Sequence, residues 1–573
     1  MRKESLVKLK ANNYEKIGSE IEKLVRQENH LLDSPYTDTI SISFIGALVK
    51  ENENSISNFT IDIDDETLKY HLQMILNRYR SLIENIINKY SAEQLKSVVV
   101  FYEDMDNRTG IVRTPADVSK LSFKILDIVE DETVADFGSG YADFLINSYM
   151  LQDKAKYAGY DINIICNTIA KMKFYLLNLK GVIEQKDILK IEEDLKFNKI
   201  FSNPPFGLRV KPNYKKVEDI YPEGIKRISN IEWAFAIKAI QSLKDEGKAI
   251  VLMSQRALIN SIDTEIRKYF IENGFIEAII SLPERIFFET GIKTSLVVLS
   301  RDNSKIRLVD ATDNFTSDRF INTLDGKNIK DILDKLEKDN DKSTEISIDK
   351  FQNFRYQLEP DRFLNVIEAK NAVELGKFAE SINRGLHLSR KQLEEITVEY
   401  ETNTRFINLK DIDDGQISDT ISYIDRKLID NEKVFKNPLR NGDLLLSRTG
   451  SPLKIAIVEN VKDEKIYYSE NLYCIRFDQK KINPYYVKAF FESIEGQKVL
   501  QSISLGTAIP MISLRDLKNI KIPYIDLEKQ NKFVKDYISR RREIDRRKIE
   551  IEEMEEQLVK SVDAFFEEVM QCD

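Results

Sequence analysis

The spacing of apolar positions changes character several times along the chain. Up to about residue 100 it is helical: Leu72, Ile75, Leu76, Tyr79, Leu82, Ile83 and Ile86 recur every three or four residues and form one apolar stripe. From about 101 to 310 short apolar runs take over: TVADF, KYAGY, VIEQ, KIFS, AIVLM, EAIIS and SLVVL. Stretches of helical spacing, such as FLINSYML, separate them. Strands alternating with helices predict a parallel, doubly wound sheet. Residues 311–374 are polar and charged (DKLEKDNDKSTE) and read as a connector. Over 375–527 short strands and glycine-containing turns predict a new α+β domain. A charged helix over 528–573 closes the chain. On it Tyr537, Ile544, Ile551, Leu558 and Phe565 stand seven apart, a repeat that keeps one seam facing a partner helix. The second seam holds Arg541, Lys548 and Glu555 and fixes no register. The predicted division is thus a helical domain over 1–100, an α/β domain over 101–310, the connector, the α+β domain and the terminal helix.

Composition narrows the class. At roughly 150 residues per domain, 573 residues suggest about four structural units. Hydrophobic residues make up 42% and charged residues 32%, the balance of a soluble globular protein. No apolar run approaches the roughly 20 residues that cross a bilayer, and the basic start has no apolar stretch behind it, so neither membrane span nor secretory signal is expected. Cys166, Cys474 and Cys572 are far apart, and only three histidines are present, which argues against a zinc site and for a reducing cytoplasm. The net charge of -9 speaks mildly against a nucleic-acid partner, but local basic segments matter more: RVKPNYKK from Arg209 and RRREIDRRK from Arg540. Taken alone, each reads as a solvated face.

The middle domain carries the chemistry. Val134-Ala-Asp136-Phe-Gly138-Ser139-Gly140 ends a β-branched run in a Gly-x-Gly turn, which lets backbone approach a ligand closely. By itself this is equally well a tight turn. The next strand ends in Asp161-Ile162, roughly 20 residues on, where a carboxylate accepts from ribose hydroxyls. Asp187 follows the third strand and is placed to bond an adenine amino group. Acidic residues at consecutive strand ends favour a nucleoside pocket over three isolated surface aspartates. A GxxxxGK[ST] loop is absent, so no nucleoside triphosphate is implied. The fourth strand runs into Asn203-Pro204-Pro205-Phe206-Gly207. Two prolines fix φ and remove backbone donors, leaving a rigid loop with free carbonyls. An exocyclic amine conjugated to a purine is a poor nucleophile. The Asn203 side-chain oxygen and the Pro204 carbonyl can take its two hydrogens and turn its lone pair toward an electrophilic methyl, while Phe206 stacks on the base.

Asn203-Pro-Pro-Phe206 after strand four, with the upstream Gly-Ser-Gly turn, resembles the amino-methyltransferases. More closely, it resembles the modification subunits of type I restriction–modification enzymes. The likeness runs through Trp233-Ala-Phe235, Leu243-Lys-Asp-Glu-Gly247, Ile279-Ile-Ser-Leu-Pro283, Phe288 and Thr290-Gly291, and upstream to Gly110-Ile-Val-Arg-Thr114-Pro115. It implies a Rossmann-like doubly wound methyltransferase fold with S-adenosyl-L-methionine as cofactor. Thr114, Pro115, Asp136, Gly138, Ser139, Gly140, Asp161, Ile162 and Asp187 would bind that cofactor, and Asn203, Pro204, Pro205 and Phe206 would be catalytic. The order of segments belongs to the adenine-N6 group. Two positions depart from the family pattern: Phe137 follows Asp136 where a proline is usual, and Arg113 precedes Thr114 where an aromatic is usual.

A second resemblance covers about 375–565. Asn441-Gly-Asp443, Ser447-Arg448-Thr449-Gly450, Lys454-Ile-Ala-Ile-Val458, Gly506-Thr507-Ala-Ile-Pro510, Leu514, Leu517 and Lys521-Ile-Pro523 are similar to the specificity subunits of type I enzymes, whose globular domain reads half a DNA site. Ser447, Arg448, Lys454 and Thr507 sit beside turns from which phosphates and base edges are reached, though each taken singly reads as an ordinary solvated residue. The implied partners are double-stranded DNA, a second copy through the terminal helix, and a separate restriction subunit. A nuclease in this chain is not expected. The competing readings are a methyltransferase of protein glutamine or RNA, which also uses an Asn-Pro-Pro loop, and a non-catalytic DNA-recognition scaffold.

Overall fold

The structure is a computed structural model. It describes the chain apart from residues 1–12, 29–34, 53–54, 57, 104–111, 191–193, 211–221, 226, 288–290, 318–320, 365–370, 419, 429–434, 451, 506–510 and 572–573. Gly110, most of the basic segment from Arg209, Phe288, Thr290, Thr507 and Cys572 therefore lie outside the described residues. The chain divides into two compact units, Met1–Leu364 and Asn365–Asp573.

The first unit begins with helices α1 (Tyr14–Glu28), α2 (Pro35–Glu51), α3 (Glu66–Arg78), α4 (Arg80–Lys89) and α5 (Ala92–Phe101). All seven stripe residues from Leu72 to Ile86 are buried, but the stripe crosses two helices. Tyr79 leaves the helical conformation between them. The helices do not form a separate domain. Their core continues into Tyr141, Cys166, Ile169 and Met172 of the following part.

That part consists of α6 (Ala116–Leu126), β1 (Thr133–Phe137), α7 (Asp143–Leu151), β2 (Lys156–Asp161), α8 (Ile164–Leu177), β3 (Gly181–Gln185), β4 (Phe197–Ser202), α9 (Glu232–Ser242), β5 (Leu243–Ser254), β6 (Ile276–Ser281), β7 (Thr294–Leu299), β8 (Lys305–Asp310) and β9 (Ser343–Ser347). They make one nine-stranded sheet in the order β9-β8-β6-β7-β5-β4-β1-β2-β3. The strands from β3 to β5 run parallel, and β7 is inserted antiparallel between β5 and β6. Helices cover both faces, so central strands are buried on both sides and read as continuous apolar runs rather than alternations. Each of the seven expected strand runs lies within a strand of this sheet.

The expected connector over 311–374 is not one. Its first part belongs to the first unit: Ser343–Ser347 pairs antiparallel with β8 at the sheet edge, and the helix Gly326–Glu337 packs Ile329 and Ile332 into the core. An edge strand needs only one apolar face, which is why STEIS reads as polar. Further on, Glu359 is partly buried beside Gln255, with which it is hydrogen-bonded, and beside Asp361. Burial first, then the Asp361 charge, pushes its carboxyl up from the ordinary 4.5 to about 7. The folded state thus holds a proton that the unfolded chain releases. This contribution is fully present below pH 4.5 and is lost as pH rises toward 7, at roughly 2–3 kcal/mol. Glu359→Gln should flatten that part of the melting-temperature profile between pH 4.5 and 8. An unchanged slope would remove Glu359 as its source.

The second unit contains two four-stranded sheets. One is antiparallel, from Ala379–Arg384, Leu472–Phe477, Leu444–Ser447 and Ile455–Ile457. The other joins Thr397–Val398, Ser422–Ile424, Thr404–Ile407 and Lys465–Tyr468. The terminal helix runs unbroken from Leu527 to Gln571. No helix among the described residues is long and apolar enough to cross a membrane.

Candidate active site

Strand order reverses between β1 and β4, and in parallel sheets ligands bind at the strand carboxyl ends beside such a reversal. The register pairs Asp136 with both Gly159 and Phe201, which brings the turns after β1, β2 and β4 together. The first is tight: Gly138 and Gly140 have φ of 82° and 51°, a region that L side chains rarely adopt. The amides of Gly138 and Ser139 both donate to the Tyr160 carbonyl, at 2.8 and 3.0 Å. A Cβ placed on Gly140 would meet no atom within 4 Å, so this backbone faces open space.

Asp161 ties the second turn to the first. Its carboxylate accepts from the amide of Gly140 and from that of Asn163, each at 2.8 Å. Burial raises its pKa against these bonds. Asn163 then caps α8, accepting from the amides of Ile165 and Cys166. Asp136 is fully enclosed. One of its oxygens makes no hydrogen bond, and burial, with the charges of Asp161 and Asp143, raises its pKa well above the carboxylate range.

In the third turn, Asn203 Nδ2 donates to Thr114 Oγ1 at 3.0 Å, and Asn203 Oδ1 is buried without a hydrogen-bond partner. Phe206 stands edge-on to Phe287, ring centroids 5.3 Å apart. Below the loop, Glu232 accepts from Ser254 Oγ at 2.7 Å and from the Gly207 amide at 3.4 Å.

A cavity of about 580 Å³ opens over these turns, within the roughly 300–1,000 Å³ of small-molecule pockets. Gly138, Gly140, Asp161, Ile162, Asp187, Asn203, Pro204, Pro205 and Phe206 line it. Thr114, Pro115, Asp136 and Ser139 do not. Thr114 reaches the site through Asn203, Pro115 precedes α6, and Asp136 and Ser139 are buried behind the turn. Sequence reading did not single out Asn163, Lys186, Leu189 or Ile292, which also line the cavity, and gave Phe235 no role. Ile231 and Phe235 stand four apart at the start of the helix that follows the Asn203–Phe206 loop, a signal available in the sequence.

In the second unit the expected reading residues are engaged internally. Ser447 is buried, Lys454 Nζ donates to the Ile412 carbonyl at 2.6 Å, and Arg448 donates to the Glu470 carbonyl at 2.8 Å.

A switch-point pocket walled by a glycine turn, an acidic strand end and an Asn-Pro-Pro-Phe loop defines an amino-methyltransferase of the Rossmann-like class. Comparison with known families agrees. Residues 98–372 match N-6 DNA Methylase, and residues 371–557 match the Type I restriction modification DNA specificity domain. The chain therefore carries an N-6 DNA methylase domain followed by a type I DNA specificity domain. Among curated relatives, the Type I restriction enzyme MjaVIII methylase subunit of Methanocaldococcus jannaschii is 23% identical over 405 residues, covering 62% of this chain and 68% of that protein. The MpnII methylase subunit of Mycoplasma pneumoniae is 23% identical over 373 residues, covering 59% of this chain and 66% of that protein. A solved type I methyltransferase subunit from Streptococcus thermophilus aligns at 16% identity with a TM-score of 0.47, covering 61% of this chain and 98% of that one. The chain spans about two thirds of the length of those two curated relatives.

Proposed function

We propose that this chain methylates N6 of an adenine in double-stranded DNA, with S-adenosylmethionine as donor, at a sequence read by its second unit. The observation that carries the reading is the buried, unpartnered Oδ1 of Asn203 at the wall of the cavity, between Pro204 and Phe206. A solvent-excluded acceptor without a donor is costly, about 1–3 kcal/mol, unless a ligand supplies the donor.

The cavity fits the cofactor. Open space beside Gly140 admits a ligand against the backbone, Asp161 offers its remaining lone pairs to ribose hydroxyls, Ile162 gives an apolar surface to a purine, and Asp187 accepts from its amine. When bound, the cofactor supplies an electrophilic methyl on a sulfonium sulfur. The protein's own residues prepare the acceptor. Asn203 Oδ1 and the Pro204 carbonyl take the two amine hydrogens, which draws the nitrogen toward a pyramidal geometry and frees its lone pair. Phe206 stacks on the base. Both acceptors are neutral and too weakly basic to keep a proton, so the proton leaves to water. The adenine must be extruded from the duplex to reach this loop, at a cost of a few kcal/mol. The specificity domain favours DNA over a protein glutamine or an RNA as substrate.

Sequencing DNA from cells that express the protein, with modification detection, should find N6-methyladenine within one defined sequence. N4-methylcytosine alone, or methylated protein with unmodified DNA, would overturn the reading. For the cofactor, Asp161→Ala should weaken S-adenosylmethionine binding by about ten- to a hundredfold in calorimetry, with a smaller loss for Asp161→Asn. Unchanged affinity would remove Asp161 from the pocket.

A further inference from the structure

Arg113 stands where the resembling enzymes carry an aromatic, and in the fold it is engaged. Its Nε and Nη2 donate to the two oxygens of Asp143 at 2.8 and 2.5 Å. Lys173, fully buried, donates to Asp143 at 3.3 Å and to the Tyr141 carbonyl at 3.1 Å. Glu103 lies 3.6 Å from Arg113, and the guanidinium sits 5.5 Å from the Tyr141 ring centroid. The ring of Tyr36, from the N-terminal helices, packs on Tyr141 with centroids 5.5 Å apart. A bidentate pair of this kind is directional and, once desolvated, does not rearrange easily. It fastens the strand of chain holding Arg113 and Thr114 to the first residue of α7, directly beyond the glycine turn.

The next residue, Thr114, uses its Oγ1 to accept from Asn203 Nδ2 at 3.0 Å. The consequence lies in the orientation of the amide. An asparagine side chain presents an oxygen or an NH₂ depending on a half-turn about its last bond, and only the oxygen serves an amine that must give up hydrogens. The Thr114 hydroxyl can donate as well as accept, but in the fold it accepts from Nδ2, which leaves Oδ1 toward the cavity. We infer that Thr114 is a positioning residue that sets the amide orientation of Asn203, and that the Arg113–Asp143 pair anchors Thr114 for that task. This inference rests on the reading of Asn203 as the acceptor for the target amine.

The test compares Thr114→Val, which keeps shape and removes the acceptor, with Thr114→Ser, which keeps it. With duplex and S-adenosylmethionine both saturating, the single-turnover methylation rate of Thr114→Val should fall about tenfold, while cofactor affinity stays within about threefold. Thr114→Ser should stay within about twofold of the wild-type rate. Arg113→Lys, which keeps the charge but loses the fork, should lower the rate in the same direction. Adding Thr114→Val to it should give less than the product of the two losses, as expected for residues acting in series. A full rate for Thr114→Val at saturation, a loss confined to cofactor affinity, or a Thr114→Ser as damaged as the valine variant would each overturn the inference. Full activity in Asn203→Ala would break the underlying reading instead. An inactive Asn203→Ala beside a fully active Thr114→Val would break this inference alone.

Discussion

Asn203→Ala should lower the rate of methyl transfer by about two to three orders of magnitude, with S-adenosylmethionine and duplex binding near wild type. The reasoning separates binding from chemistry. The cofactor is expected against the glycine turn, Asp161 and Ile162, none of which depends on Asn203 for a hydrogen bond. Among the described residues the Asn203 amide hydrogen-bonds Thr114 through Nδ2, and its Oδ1 has no partner. What alanine removes is an acceptor aimed at hydrogens whose positive charge grows as the amine attacks, so the loss falls on the transition state and appears in kcat rather than KM. The acceptor needs no reorganisation, because Pro204 and Pro205 hold the loop and Glu232 holds the Gly207 amide from below. Single-turnover rates give the chemical step, and 2-aminopurine at the target position reports extrusion of the base. A variant that still brightens 2-aminopurine but does not methylate fits the proposed role. A variant that methylates within a factor of three of wild type excludes it.

The parts of this molecule that were legible in sequence share a physical cause. Central parallel strands are covered on both faces, so their runs are apolar throughout, and the turns that follow them fall at strand carboxyl ends. That placed Gly138, Gly140, Asp161, Asp187 and the Asn203–Phe206 loop around one cavity from local pattern alone. What was not legible depends on contacts between distant positions. Thr114 meets Asn203 across 89 residues, and Arg113 meets Asp143 across 30. Neither leaves a periodic trace, so Arg113 read as the loss of an aromatic rather than the gain of an anchor. Asp136 reads like Asp161 in sequence, both being acidic ends of apolar runs. One is sealed beneath the turn and the other lies at its rim. The connector was misread because Ser343–Ser347 and the helix Gly326–Glu337 each bury only a narrow face, and their exposed charges dominate the composition. The stripe from Leu72 to Ile86 gave burial correctly and continuity wrongly, since a break at Tyr79 preserves the apolar side of both helices.

Deleting residues 549–573 should convert a dimer into a monomer while leaving cofactor binding intact. The terminal helix behaves differently along its length. Its first turns lie on their own domain: Gln530 and Val534 are buried, Lys488 donates to the Tyr537 hydroxyl at 3.2 Å, and Arg541 and Lys548 both pair with Asp414. Of the three charged residues in the second seam, Arg541 and Lys548 face the domain rather than a partner, and Glu555 lies beyond them. Beyond Lys548 the apolar side chains are uncovered: Ile551, Met554, Leu558, Val562 and Phe565 are 54, 68, 64, 44 and 60% exposed. Completing the burial of half-covered side chains of this kind gains roughly 1 kcal/mol each, and ten of them from two helices give about 10 kcal/mol, the same order as the roughly 4–15 kcal/mol that association costs. A second copy would satisfy the seam by two-fold symmetry and would set two specificity domains on one DNA, the arrangement a split or palindromic site calls for. Sedimentation of the full chain should give twice the 66.6 kDa monomer mass, and the deletion, or Leu558→Glu with Phe565→Glu, should give the monomer. Methylation of its DNA site should drop in step with dimer content. A full-length chain that stays monomeric on its specific DNA would refute the dimer, leaving the seam to a different protein and the pocket chemistry unchanged.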